Sequence, residues 1–330
     1  MSGRMAYNEA ITETNNQQML KVFVSNRYED PNSMLAVSSV TANVSLSSSA
    51  RVEAGFGDSD NFDGNLAPFS GGFVYEENPT ISYVPLAGER YMRQIMSPLP
   101  LSVVMNITRS MPHPETAYNM LIASVNGIRN PAFLYDDQQV DPDFERFVSL
   151  ITRLDRAHCL HWVGDTEQTG VMDLVIETAA PCDQPGVDLL NLLGIRERAT
   201  PGTPVSLPVA PSRASRDPSV ISLVTRNLWS LVDILSAAVQ VPAEDATNGT
   251  ATSFPKLGAV GEELEIRHTR SRPETAYVAV EHRDGWFYID DSDFVTKRYF
   301  KLLNSLWSAA MANSLGTSQS APVLTVPVSG

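Results

Sequence analysis

The side chains best suited to chemistry fall in one short run, His158-Cys159-Leu160-His161, with Cys182 the other cysteine of the chain. Two imidazoles and two thiolates would make a zinc ligand set, and a hydrolase of unfamiliar design could use His158 or His161. A structural zinc site spaces its ligands two to five residues apart, so that one loop wraps the ion. Here His158 and Cys159 are adjacent, a spacing that usually points the two side chains apart. The competing expectation is a helix end, where a histidine near the last carbonyls is favoured by the helix dipole. The cysteines carry two open readings: a disulfide closing a loop of roughly 24 residues and contributing about 3 kcal/mol, or two buried thiols.

Other candidates dissolve on inspection of their spacing. Asp58-Ser-Asp60-Asn-Phe-Asp63-Gly64 suggests a calcium loop, which needs oxygen ligands at the first, third and fifth positions, glycine at the sixth and glutamate at the twelfth. A start at Asp58 puts Phe62 fifth and Phe69 twelfth; a start at Ser59 places Gly64 correctly but Ser70 twelfth. A solvated acidic loop is the reading that fits. The chain has no G-x-S-x-G, H-E-x-x-H, G-x-x-x-x-G-K-[ST] or G-x-G-x-x-G, so no catalytic, cofactor-binding or metal-ligating residue is assigned and no cofactor is expected. Asp290 and Asp291 read as a helix cap, and Trp286, Phe287 and Tyr288 beside Asp284 as cross-strand or core aromatics rather than a ligand site.

The elements that would position these residues are legible in part. Tyr7–Arg27 has the apolar spacing of a helix, with Ala10, Met19, Leu20, Phe23 and Val24. Met34–Ala54 alternates like short half-buried strands, Gly55–Gly72 reads as a long loop, and Pro79–Val84 as a strand. Gly88–Met96 and Asp141–Ala157 read as helices, the second with Pro142 in its first turn; Leu101–Ile107 and Ala117–Val125 are apolar but undecided between helix and strand. Val171–Ile176 reads as a strand and Leu189–Leu193 as a helical turn. The proline-rich stretch 196–217 reads as a linker, and Pro218–Val239 as one strong helix. Pro242–Pro255 is a loop, Tyr277–Glu281 and Trp286–Ile289 a hairpin around Arg283-Asp284-Gly285, and a last helix follows with Val295, Tyr299, Leu302, Leu303 and Leu306 as its stripe. Pro322–Val328 alternates like an edge strand. The expected fold class is α+β, with mixed, mainly antiparallel strands and packed amphipathic helices. The expected organisation is an N-terminal domain 1–195, the linker 196–217 and a C-terminal domain 218–330 of helix, hairpin and helix.

Composition narrows the function class. The chain is 330 residues long, 43% hydrophobic and 19% charged, which suits packed cores rather than disorder. Its 38 acidic against 24 basic residues give a net charge of -14, which repels phosphate backbones, so no nucleic-acid partner is expected. No run of about 18 apolar residues exists to form a membrane helix.

Short segments over most of the chain carry a resemblance. They are Tyr7-Asn-Glu-Ala-Ile11 with Asn16-Gln-Gln-Met-Leu20, Arg27-Tyr-Glu-Asp-Pro31, Val37-Ser-Ser-Val40, Asn78-Pro-Thr-Ile-Ser-Tyr83, Ser97-Pro-Leu-Pro100, Ser124-Val-Asn-Gly-Ile128, Val224-Thr-Arg-Asn227, Trp286-Phe-Tyr-Ile-Asp-Asp291 and Pro322-Val-Leu-Thr-Val-Pro327. Together they resemble a family of uncharacterised proteobacterial envelope lipoproteins, which has no established activity to carry over. The resemblance implies a signal peptide and a lipidated cysteine ahead of the first helix. Neither precedes that helix here, where the chain reads Met1-Ser-Gly-Arg-Met5. Two expectations follow: the periplasm or outer-membrane surface after processing, or the cytoplasm if Met1 is the natural start. The functional expectation is a non-catalytic binding or assembly protein, a homo-oligomer or a subunit of an envelope complex. The alternatives are the His158/His161 hydrolase and a cytoplasmic or phage accessory protein.

Overall fold

A computed structural model describes residues 4–31, 35–50, 71–85, 89–136, 138–164, 172–195, 202–211, 217, 219–261, 264–315 and 324–327. In chain order the elements are α1 (Arg4–Arg27), β1 (Leu35–Ala50), β2 (Gly71–Pro85), α2 (Glu89–Met96), α3 (Leu101–Ser110), α4 (Pro114–Leu121), β3 (Ile122–Val125), β4 (Ile128–Arg129), β5 (Phe133–Leu134) and α5 (Pro142–Arg156). They continue with β6 (Leu160–Val163), β7 (Met172–Ile176), α6 (Asp183–Leu192), β8 (Val205–Ala210), β9 (Ile221–Thr225), α7 (Leu228–Ala237), α8 (Ala243–Asn248), β10 (Lys256–Leu257), β11 (Arg267–Thr269), β12 (Ala276–His282), β13 (Gly285–Asp290), α9 (Phe294–Leu315) and β14 (Leu324–Pro327). The fold is α+β, and among the described strands only the β8–β9 pair is parallel.

The chain forms two compact units, one of residues 1–12, 34–86 and 317–330, the other of 13–33 and 87–316. The division expected at 196–217 is not where the chain divides. That stretch supplies β8, which pairs with β7 on one side and β9 on the other, inside a six-stranded sheet ordered β4-β3-β9-β8-β7-β6. Prolines interrupt helices but tolerate extended backbone, and Val205, Leu207 and Val209 alternate inward between them.

Pro218–Val239 is likewise a strand and then a helix. Ile221, Val224 and Thr225 are β-branched and suit β9. The helix starts only at Asn227, whose side-chain oxygen accepts the backbone N–H of Ser230 at 2.8 Å. The undecided apolar runs resolve as α3 and as α4 running directly into β3, and the loop after Pro242 contains the short α8.

The core of the larger unit gathers on α9. Phe300 meets Phe23 of α1 edge-on at 5.9 Å and Tyr277 of β12 at 6.0 Å, and α9 also packs on α2, α4 and α7. The cap of α9 is Asp293, which accepts from Thr296 N at 2.9 Å, rather than the Asp290–Ser292 run; Asp290 closes the preceding turn through Ser292. Gly285 in the β12–β13 hairpin stands so close to His268 of β11 that a Cβ there would lie 2.2 Å from Nε2. In the smaller unit, β2 lies between β1 and β14.

Candidate functional site

The His-Cys cluster closes a helix. α5 ends at Ala157, and His158 takes the left-handed conformation at φ +55°. The N–H of His158 reaches Asp155 O at 3.0 Å and that of Cys159 reaches Leu154 O at 2.8 Å, the paired bonds of a Schellman closure. Cys159 and Cys182 are joined in a disulfide with Cα atoms 5.6 Å apart. It ties this helix end to the N-cap of α6, so both sulfurs are committed and neither is a thiolate ligand. His158 and His161 are exposed, and no group of three or more His, Cys, Asp and Glu side chains among the described residues is placed to hold a metal. The Asp58–Gly64 loop lies outside the described residues.

One cavity of the larger unit, about 840 Å³, is lined by Ser124, Asn130, Arg226, Asn227 and Ser230 among others. Arg226 follows β9 directly and is 5% exposed. Its Nη1 donates to the carbonyls of Asn119 and Met120, both at 2.8 Å, and its Nη2 to that of Asn130. Its backbone N–H takes Leu121 O at 2.8 Å, while Ile122 N takes Tyr118 O. The four carbonyls that α4 leaves unpaired at its C-terminus are therefore all satisfied, and a buried cation sits at the negative end of the helix dipole. Burial lowers the guanidinium to about 10, still charged at neutral pH. Asn130 completes the clasp through Nδ2, at 2.8 Å from both Asn119 O and Ile122 O, while its buried Oδ1 has no hydrogen-bond partner. The Arg226 guanidinium is thus consumed by holding α4 against β9, while the exposed Arg129 also lines the cavity.

A second polar cluster joins α1 to the β12–β13 hairpin. Nδ1 of His282, 7% exposed, lies 2.8 Å from Lys21 Nζ, which also donates to Glu281 O at 2.8 Å. An ammonium only donates, so Nδ1 accepts and the ring proton belongs on Nε2. Nε2 lies 3.1 Å from Asp30 Oδ2, an ion-pair distance off the line of a hydrogen bond. Burial first and then Lys21 lower the His282 pKa against the pull of Asp30, and burial lowers that of Lys21. The Arg283 guanidinium stacks 4.3 Å over Tyr28, whose hydroxyl donates to Asp245 at 2.7 Å. The Asp–His–Lys order resembles a proton relay, but both ends are tied to α1 and it fastens α1 to the hairpin. Sequence reasoning found neither Arg226 nor this trio, because their partners lie about 100 and 260 residues away in the chain.

The remaining candidate is a surface. β1 pairs with β2 over fifteen residue pairs, from Leu35↔Pro85 to Ala50↔Gly71, whereas β14 covers only Thr80–Tyr83 of β2. Among the described residues no strand pairs with the outer edge of β1 over Val40–Ala50, nor with β2 beyond β14. Such edges present backbone donors and acceptors ready to pair with another chain. Comparison with known protein families, curated proteins and solved structures finds no match to this chain.

Proposed function

We propose that this is a non-catalytic assembly protein of the bacterial cell envelope, in which copies of the chain join edge to edge through the β1–β2–β14 sheet. The observation that carries the reading is the long β1–β2 ladder, whose outer edges no strand covers among the described residues over Val40–Ala50 of β1 and beyond β14 on β2. Away from the four residues of β2 that β14 covers, the sheet has only two strands, a ribbon marginal in water by itself, and strand pairing between copies supplies the missing hydrogen bonds without any new element. The Cys159–Cys182 disulfide suits an oxidising compartment such as the periplasm, and the resemblance to envelope lipoproteins points the same way. The negative net charge keeps separate copies soluble until their strands register.

The test is the copy number of the full chain by light scattering after size exclusion, in buffer and in a mild detergent. Successive N–H groups of a strand point to opposite edges, so one of Asn43→Pro and Val44→Pro removes an outward donor. A defined multi-copy species that at least one of the two variants dissolves supports the reading, and one that neither dissolves overturns it. A monomer in both solvents overturns it.

A further inference from the structure

Strand alternation assembles one wall of the cavity that Arg226 borders. Asn126 and Gly127 both take positive φ, +45° and +87°, in a two-residue turn that folds β4 back on β3. Arg129 therefore stands opposite Ser124, and Ser124 stands opposite Val224 of β9, so the three share one face of the sheet. Ser222, two residues before Val224, lies on that face too, at a diagonal of about 7–8 Å from Ser124. All four line the cavity, while Val125 and Leu223 between them are buried on the opposite face.

The polar groups of this wall have no partners of their own. Ser222 is 5% exposed, and its hydroxyl makes no hydrogen bond among the described residues; nor does that of the half-buried Ser124. The exposed Arg129 guanidinium pairs with no carboxylate among them. Arg226 donates to three neutral carbonyls and also pairs with no carboxylate, so only the α4 dipole offsets its buried charge. The ten-residue α7 brings its positive end to the same cavity through Asn227 and Ser230. Among the described residues no acid lines the cavity, in a chain with 38 acidic residues against 24 basic. A buried charge without a counter-ion is costly, and an anion held here supplies one.

We infer that this cavity binds a small organic monocarboxylate with an apolar body. The carboxylate meets the Arg129 guanidinium and the hydroxyls of Ser124 and Ser222, whose separation it can span with one oxygen on each. Three features select this class. A single unpaired guanidinium suits a single negative charge, whereas a phosphate dianion calls for more cationic donors and those of Arg226 are committed to carbonyls. With no acidic residue in the lining, an ammonium has no partner, which sets aside free amino acids. Pro98, Ala123, Pro131, Ala132 and Val224 line the rest, which suits a hydrocarbon or aromatic body, and the volume falls within the roughly 300–1,000 Å³ of small-molecule sites. The inference is independent of assembly through the β1–β2–β14 sheet, which uses none of these residues.

The experiment is isothermal titration calorimetry of the full chain with phenylacetate, hexanoate, the uncharged phenylacetamide and inorganic phosphate. One-to-one binding of either carboxylate is expected, with phenylacetamide and phosphate about tenfold weaker or more. Arg129→Gln, at an exposed position, should weaken the carboxylate about tenfold, and Ser222→Ala about fivefold, with unchanged circular dichroism. Arg153→Gln, equally exposed but on α5 and outside this cavity, should leave the affinity as it is. No binding of either carboxylate up to about 10 mM overturns the inference. So does phenylacetamide or phosphate binding as tightly as the carboxylates, or an affinity that Arg129→Gln does not change. The copy number by light scattering is read separately, so either result leaves the assembly reading to its own test.

Discussion

Replacing Arg226 by methionine removes the clasp on α4 while keeping much of the side-chain volume. Three donations to buried carbonyls are lost, to Asn119, Met120 and Asn130. Hydrogen bonds to a charged donor contribute about 1.5–3 kcal/mol each, a gross loss of about 4–9 kcal/mol, part of which is offset because the guanidinium no longer has to be desolvated. The expected net cost is about 3–5 kcal/mol, because three buried carbonyls lose their donor at about 1–3 kcal/mol each and relief from desolvating the guanidinium offsets part of that. For a unit of this size each kcal/mol shifts the melting temperature by about 2–4 °C, so the variant should melt about 6–20 °C below the parent in differential scanning calorimetry. Arg226→Lys should recover only part of the loss, since one ammonium cannot reach three carbonyls set around a planar fork. A loss under about 1 kcal/mol for Arg226→Met would refute the reasoning, for it would mean that water satisfies the end of α4 as well as the guanidinium does.

Two further expectations concern the rest of the larger unit. His282 binds its proton less readily folded than at its ordinary value of 6.5, because of burial and Lys21. Its contribution to stability is therefore fully present above pH 6.5 and is lost as the pH falls from there toward the depressed folded value. Urea unfolding of the parent should weaken over that window, and His282→Gln should flatten the dependence; an unchanged slope would disprove the role. Reduction of Cys159–Cys182 reopens the link from α5 to α6 and should cost about 3 kcal/mol on loop-closure grounds. Native protein should resist thiol reagents until reductant is added, and free reaction beforehand would contradict the disulfide.

How much of this was legible in the sequence depended on whether the deciding contacts were local. α1, α5 and α9 could be read from their apolar stripes, and Pro142 at the start of α5 is capped by Asp141, which accepts from Asp143 N at 3.0 Å. His158 was legible as a helix end because the closure is local. Pro218–Val239 misled because Ile221, Leu223, Leu228 and Leu231 are apolar at spacings a helix also uses, and only the cap at Asn227 separates strand from helix. The proline-rich 196–217 looked like a linker because β8 gains its place from β7 and β9, not from itself. Arg226 gave no signal, since its carbonyl partners are set by tertiary packing. In the β1–β2 ladder the alternation was visible, but a bulge between Val37 and Ser39 shifts its phase, so β1 read as short segments rather than one continuous strand.

Residue-resolved amide exchange along β1 bears most directly on the assembly claim. In a lone hairpin every second N–H from Val40 to Ala50 faces the outer edge and exchanges freely, whereas paired copies protect both sets. Continuous protection from Val40 to Ala50 in the multi-copy species is the result expected here. Protection at alternate residues only, with the other amides exchanging as fast as an unfolded chain, would show that β1 has no strand beyond β2 and would contradict assembly through this edge.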